Sequence, residues 1–241
     1  VAPLARALMD AVGLQASMLY LGIGMLIVVV GFAQLVKFPP EGFVPEEDST
    51  NAVVSGQNIT DFNVREMART WQFYFILITF AFGSGAGLMV IGNLASIVSN
   101  QIGLPALSAI AVSALAIGNG GGRVLYGVLS DKFGRKSVLI IAFLMQAVLI
   151  CVLLFVGNNS FLSSAPALLA FVVLIGANYG ANLSVLPAIT KDYYGSENFA
   201  VNYGVVYMAW GLGGFMVSQL AGTIKDYFGS YDNAYILAAV M

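Results

Sequence analysis

Long apolar blocks separated by short polar breaks run along almost the whole chain. They cover Gly13–Val36, Phe73–Val98, Ala106–Ser130, Ser137–Val156, Ala165–Pro187 and Tyr203–Gly222, and another begins at Tyr235. A bilayer core about 30 Å thick takes about 20 mostly apolar helical residues to cross, and each complete block is of that order. Strict two-residue alternation is missing, which argues against a transmembrane β-barrel. The pattern predicts an all-α, polytopic membrane protein. Val1–Leu8 reads as the tail of a preceding helix, because no charged n-region and cleavage site mark it as a signal peptide. Met241 falls within an apolar run, so the chain is expected to be a fragment.

Composition removes the soluble alternative. Hydrophobic residues make up 59% of the chain and charged ones 9%, with a mean hydropathy of +0.87. Soluble domains average about 25% charged residues, and this chain could not cover its surface in water. The charges also give an orientation. Lys37, Arg65, Arg69, Lys132, Arg135, Lys136 and Lys191 fall on one side of the spans, while Arg6 and Lys225 fall on the other. By the positive-inside rule the Lys37–Thr70, Asp131–Lys136 and Lys191–Asn202 loops are cytoplasmic. The Asn100–Pro105, Gly157–Ser164 and Lys225–Asn233 connections then face outward. No basic patch is dense enough to indicate nucleic acid. With one cysteine, Cys151, and no histidine, the chain has neither an internal disulfide nor a zinc spacing. It also lacks a catalytic pair, so an enzyme, a metal site or a cofactor is not expected.

The one substantial polar stretch is Lys37–Thr70. Its acidic, proline-bearing first part reads as irregular. Its second part, Asp61–Trp71, reads as an amphipathic surface helix with Asp61 as N-cap. A tether between two helix bundles and a regulatory docking site are the two readings of this stretch. The Asn58-Ile59-Thr60 sequon lies on the cytoplasmic side, where glycosylation is not expected.

The spans differ in character. Ser137–Val156 has no glycine and a single amide, Gln146, and reads as lipid-facing. Phe73–Val98, Ala106–Ser130 and Tyr203–Gly222 are rich in glycine, which lets helix backbones approach closely inside a membrane. Polar residues Asn93, Asn119, Arg123, Asn178, Tyr179, Asn182, Tyr207 and Gln219 track the glycine-rich spans and Ala165–Pro187, so those four are expected inside. In Gly118-Asn119-Gly120-Gly121-Gly122-Arg123, each glycine costs about 1 kcal/mol against alanine in an ordinary helix. Their density means that this turn bends or admits something close to its backbone. Arg123 is the charge firmly within a span, about 10 Å from the cytoplasmic helix end. Insertion scales put such a charge at about 2.5–3.5 kcal/mol. No Asp or Glu lies in any complete span to neutralise it. An anion from outside is the functional reading; snorkelling or carbonyl binding is the bland one. Asn119, four residues earlier, shares the face of Arg123.

Gly127-Val128-Leu129-Ser130-Asp131-Lys132-Phe133-Gly134-Arg135-Lys136 closely resembles the major facilitator superfamily signature, G-x-x-x-D-[RK]-x-G-R-[RK]. The resemblance implies the C-terminal half of a twelve-helix fold. Residues 1–36 would be the end of the fifth helix and the sixth, 37–71 the central loop, and 72–241 the C-terminal bundle with a truncated twelfth helix. Gly127, Asp131, Lys132, Gly134, Arg135 and Lys136 would then form a conformational latch.

Weaker patterns resemble the oxalate/formate antiporter family: Arg65–Tyr74, Asn119-x-x-x-Arg123, Asn202-Tyr203-Gly204 and Gly229–Ala234. The resemblance implies that Arg123 contacts a substrate carboxylate and that Asn119 lines the same cavity. Oxalate exchangers add a lysine in the eleventh helix, but Tyr203–Gly222 has neither Lys nor Arg, and Trp210 stands in that region. One cation suits one carboxylate, so a formate-, lactate- or pyruvate-like monocarboxylate is expected ahead of oxalate-type exchange. Tyr207 would add a hydrogen bond and Trp210 an apolar wall, with Tyr179 and Asn178 as weaker candidates. Transport would run by alternating access, as exchange, uniport or symport with a coupled proton. The other partners expected are the lipid bilayer, at the plasma (inner) membrane, and an N-terminal half of the same protein. A transporter-like sensor that binds its anion without moving it is the second class of function.

Overall fold

The computed structural model describes residues 2–37, 61–157 and 160–241. The acidic part of the polar stretch, the sequon and residues 158–159 of the Gly157–Ser164 connection lie outside the described residues. Two units form, Val1–Ile59 and Thr60–Met241. The first contains α1 (Ala2–Ala33), in which two helical segments meet at Gly13, whose φ of 79° and ψ of 169° are not helical.

The second unit begins with the single turn α2 (Val64–Met67). There follow α3 (Trp71–Ser96), continued by a π-helical turn over Ile97–Gln101, then α4 (Ser108–Phe133), α5 (Arg135–Leu153), α6 (Ala165–Tyr194), α7 (Phe199–Phe228) and α8 (Asp232–Val240). Among the described residues, five helices, α1, α3, α5, α6 and α7, are long and apolar enough to cross a membrane. With 26 residues α4 has the length as well, but its Gly, Asn and Arg make it less apolar.

Several boundaries move from the sequence expectation. The Ala165–Pro187 block continues to Tyr194, because Thr190 and Tyr194 are buried and hold the last turns in place. The expected Asp61–Trp71 helix shrinks to α2, and its cap is Asn63. The Asn63 side chain accepts from the Arg65 and Glu66 amides, and Glu66 reaches back to the Asn63 amide, a capping box. Asp61 instead accepts from the Glu197 amide at 3.0 Å. Around it, the Phe62 amide donates to the Tyr194 carbonyl and the Asn202 amide side chain donates to the Phe62 carbonyl. Residues 61–70 thus form a strap tied to the Tyr194 end of α6 and the Phe199 end of α7, with Met67 fully buried.

The core has two apolar layers. One, near the strap, holds Phe73, Phe80, Tyr126, Leu139, Leu186, Tyr194 and Val206. The other holds Met89, Leu94, Leu115, Ile150, Ile175, Val217 and Tyr235. Between them lies a waist where backbones come closest, and glycines are the reason. A Cβ on Gly118 or Gly122 of α4 would run into the backbone of Val173 or Ala177 of α6. Reciprocally, a Cβ on Gly176 would strike the Leu115 carbonyl, and one on Gly180 would lie 2.5 Å from the Asn119 carbonyl oxygen and 2.9 Å from the Arg123 nitrogen. Lipid tails give helices no hydrophobic drive to associate, so such close van der Waals packing carries the contact. Of the two meanings expected for the glycine cluster, close approach is the one observed, since α4 is continuous through it. The guest at Gly118 and Gly122 is the backbone of α6.

In α5, Ile140, Ile141, Leu144 and Val148 form an exposed face and Cys151 is exposed too. Gln146 turns inward, with neither amide atom hydrogen-bonded.

Candidate functional site

The waist gives α4 two unlike faces. Gly118 and Gly122 close on α6, whereas nothing lies within 4 Å of a Cβ placed on Gly120 or Gly121. Arg123 is on the open side, exposed, with its backbone seated against Gly180. Its Nε–H donates to Asn119 Oδ1 at 3.2 Å, one helical turn back. That bond steadies the guanidinium plane and leaves both terminal nitrogens free to offer a two-donor fork. Among the described residues, no carboxylate lies within 4.0 Å of it.

Across the waist from Arg123 stands an aromatic row. Along α7, Phe199, Tyr203, Tyr207 and Trp210 recur at three- and four-residue spacing and make a ladder of rings. Phe199 and Tyr203 stack at 5.6 Å between centroids and 7°, and Tyr207 and Trp210 at 5.2 Å and 14°. Tyr203 and Tyr207 join the pairs at 5.6 Å, and Phe80 of α3 meets Tyr207 edge-on. Trp210 Nε1–H donates to Tyr179 Oη on α6 at 2.6 Å. Gly180, next to Tyr179, packs on the backbone of Asn119 and Arg123, which brings Tyr179 and its partner Trp210 to the same level.

Arg123, Asn119, Tyr179, Tyr207 and Trp210 therefore gather at one level of the bundle. Asn178 does not join them. One residue before Tyr179 it points about 100° round the helix, where Tyr126 Oη donates to its Oδ1 in a buried pair between α4 and α6. Tyr203, quoted from the sequence only within the Asn202-Tyr203-Gly204 pattern and not as a site residue, joins the row through Tyr207; its spacing with Tyr207 was the available signal.

The signature residues occupy the strap end. Gly134, at φ 87°, makes the sharp break between α4 and α5 that a side chain would strain. Arg135 pairs with Asp131, donates to Ser130 Oγ at 2.7 Å, and reaches Asp192 of α6 at 3.1 Å. Lys132 and Lys136 are exposed, and Gly127 is half-buried beside Ser184. Asp192 was legible only as an acid beside Lys191, because its partner is 57 residues away in sequence.

α7 runs past Gly222 and so contains one lysine, Lys225. It lies at the opposite end, its Nζ donating to Ser96 Oγ at 3.2 Å and sitting 4.8 Å over the Tyr231 ring. At 1.5 Å per residue it is about 22 Å along the helix from Trp210, too far to serve as a second cation beside Arg123. No group of three or more metal-ligating side chains occurs among the described residues.

The sequence profile of the Major Facilitator Superfamily matches residues 81–241. The chain is 27% identical over 242 aligned positions to the oxalate:formate antiporter of Oxalobacter formigenes, covering 99% of this chain and 54% of that protein. It is 35% identical to the minor myo-inositol transporter of Bacillus subtilis, over 75% of this chain and 38% of that one. The crystal structure of the Escherichia coli fucose:proton symporter has a similar fold, with a TM-score of 0.59 at 17% identity, over 93% of this chain and 51% of that one. The chain thus spans about half the length, or less, of the curated relatives it matches.

Proposed function

The chain belongs to the Major Facilitator Superfamily and is an integral, multi-pass membrane protein, and on that footing we propose that it is the C-terminal half of a transporter for small organic anions, monocarboxylates first. The observation that carries this reading is Arg123. It is a charge within apolar helices, steadied by Asn119, with no carboxylate of the described residues to neutralise it. An arginine so placed attracts a carboxylate and holds it by two parallel charge-assisted bonds.

The two relatives above are named for different cargoes, an anion pair and a neutral polyol. A bare guanidinium favours the anion. A single cation at this level, with Lys225 at the far end of α7, favours one carboxylate over two. Substrate would sit at the waist between this bundle and its N-terminal counterpart, and the two would rock about it. The Asp131–Arg135–Asp192 cluster would fasten the α4, α5 and α6 ends in one of the two facing states.

Uptake by the full-length protein in vesicles tests this, using monocarboxylates, dicarboxylates and a neutral polyol. Monocarboxylate uptake should exceed the others and vanish in Arg123→Gln. Polyol uptake that survives the substitution would return Arg123 to a structural role, and binding without counterflow would make the protein a sensor.

A further inference from the structure

The aromatic ladder bears on what the carboxylate is attached to. Phe199–Tyr203 and Tyr207–Trp210 are two stacked pairs joined by a tilted Tyr203–Tyr207 contact, more aromatic surface than a small aliphatic acid would use. The indole N–H of Trp210 is consumed by Tyr179 Oη at 2.6 Å, which fixes the ring and withdraws its polar donor from the site. Tyr179 itself is pinned, 3% exposed, with its ring against Gly87 of α3. Tyr207 lies nearly parallel to Trp210 and is 38% exposed, so the stacked pair presents open aromatic surface at the level of Arg123. Phe80, fully buried, supports Tyr207 from behind.

We propose that this site selects carboxylates whose acid group is borne on a planar, conjugated body, aryl carboxylates above saturated ones of equal size. The acid would take the Arg123 fork, and the body would lie offset against the Tyr207–Trp210 rings. Trp210 is then a specificity-determining residue, and Tyr179 a positioning residue that acts through it. A saturated ring also removes apolar surface from water. What it lacks is the quadrupole complementarity of two offset rings, which adds discrimination of about 2- to 12-fold beyond area.

The inference rests on the carboxylate reading above, and the experiment separates the two. Full-length protein in detergent is titrated calorimetrically with benzoate and with cyclohexanecarboxylate, in the wild type, Trp210→Leu, Trp210→Phe and Arg123→Gln, with thermal unfolding measured alongside. Benzoate should bind about 2- to 12-fold more tightly than cyclohexanecarboxylate. Trp210→Leu should abolish that ratio while cyclohexanecarboxylate still binds, and Trp210→Phe should keep part of it. Tyr179→Phe, which removes the acceptor for the indole, should reduce the ratio without a comparable loss for the saturated acid. Equal affinity for the two acids, or a ratio that Trp210→Leu leaves intact, overturns the inference and leaves carboxylate recognition standing. Failure of both acids to bind the wild type, or binding unchanged in Arg123→Gln, overturns both.

Discussion

Arg123 and Arg135 are twelve residues apart and have opposite surroundings. Arg135 stands at the end of a helix, held by Asp131, Asp192 and Ser130. Arg123 stands in the middle of one, with an amide oxygen as its hydrogen-bond partner. Paired with two acids, the first has its charge already answered, which is what the proposed fastening role requires. The second has its geometry fixed and its charge unanswered, which is the condition for meeting an anion. On the proposed reading, the partner separates a fastener from a receptor, since the side chain is the same.

The largest expected effect follows directly. Arg123→Gln should weaken carboxylate binding by about 10- to 150-fold, the worth of a charge-assisted bond. Arg123→Lys should recover only part, having charge without the planar fork. Arg135→Gln should leave affinity nearly unchanged. Calorimetry on detergent-purified full-length variants checks all three, and an affinity loss in Arg135→Gln as large as in Arg123→Gln would erase the distinction.

Next comes the seat of Arg123. Gly122→Ala should destabilise by about 1–3 kcal/mol, because the new methyl meets rigid α6 backbone. Its neighbour Gly121→Ala faces open space and should cost nothing. Thermal unfolding of the pair measures the difference. If both variants unfold alike, the close α4–α6 backbone packing is not what positions Arg123. Tyr126→Phe should cost less, about 0.6 kcal/mol and at most about 1.7, by removing an interhelical hydrogen bond. Anion affinity should be spared, since Asn178 lies away from the cluster.

Smallest in stability is the fastener. Asp192→Asn removes one arm of a pair in which Arg135 is 29% and Asp192 50% exposed. Solvent screening limits the cost to about 0.2–1 kcal/mol. The same change should lower turnover more than affinity, which parallel transport and binding assays resolve. An affinity drop without a change in turnover would place Asp192 in the binding path.

Most of the spans and the Arg123–Asn119 pair were legible, because each depends on composition or on spacing within one helix. The expected inner and lipid-facing helices, by contrast, are not told apart by burial, which is 33% in the apolar windows of both α5 and α7. Arg123 had no acid in its own span to cancel it, and Asn119 was four residues away on the same face. What could not be read depends on contacts between distant segments. Asp61 looked like a helix cap until the Glu197 amide claimed it. Asn178 and Tyr179 are neighbours in sequence, and only the placement of α4 and α7 around α6 sends one to Tyr126 and the other to Trp210. Lys225 was placed in a connection, whereas it belongs to a helix, because α7 outlasts its apolar block by six residues, to Phe228.

The strap has a consequence in time. Its ties run from Phe62 to Tyr194 and Asn202, and the longer one spans 140 residues of sequence. Chains grow at about 5–20 residues per second, so the strap waits about 7–28 s after its own synthesis before its last partner is made. Met67, fully buried at the end, is without its final neighbours during that interval. Docking of residues 61–70 can therefore be completed only after α7 has begun to emerge, which makes the strap a late mark of a correctly assembled bundle.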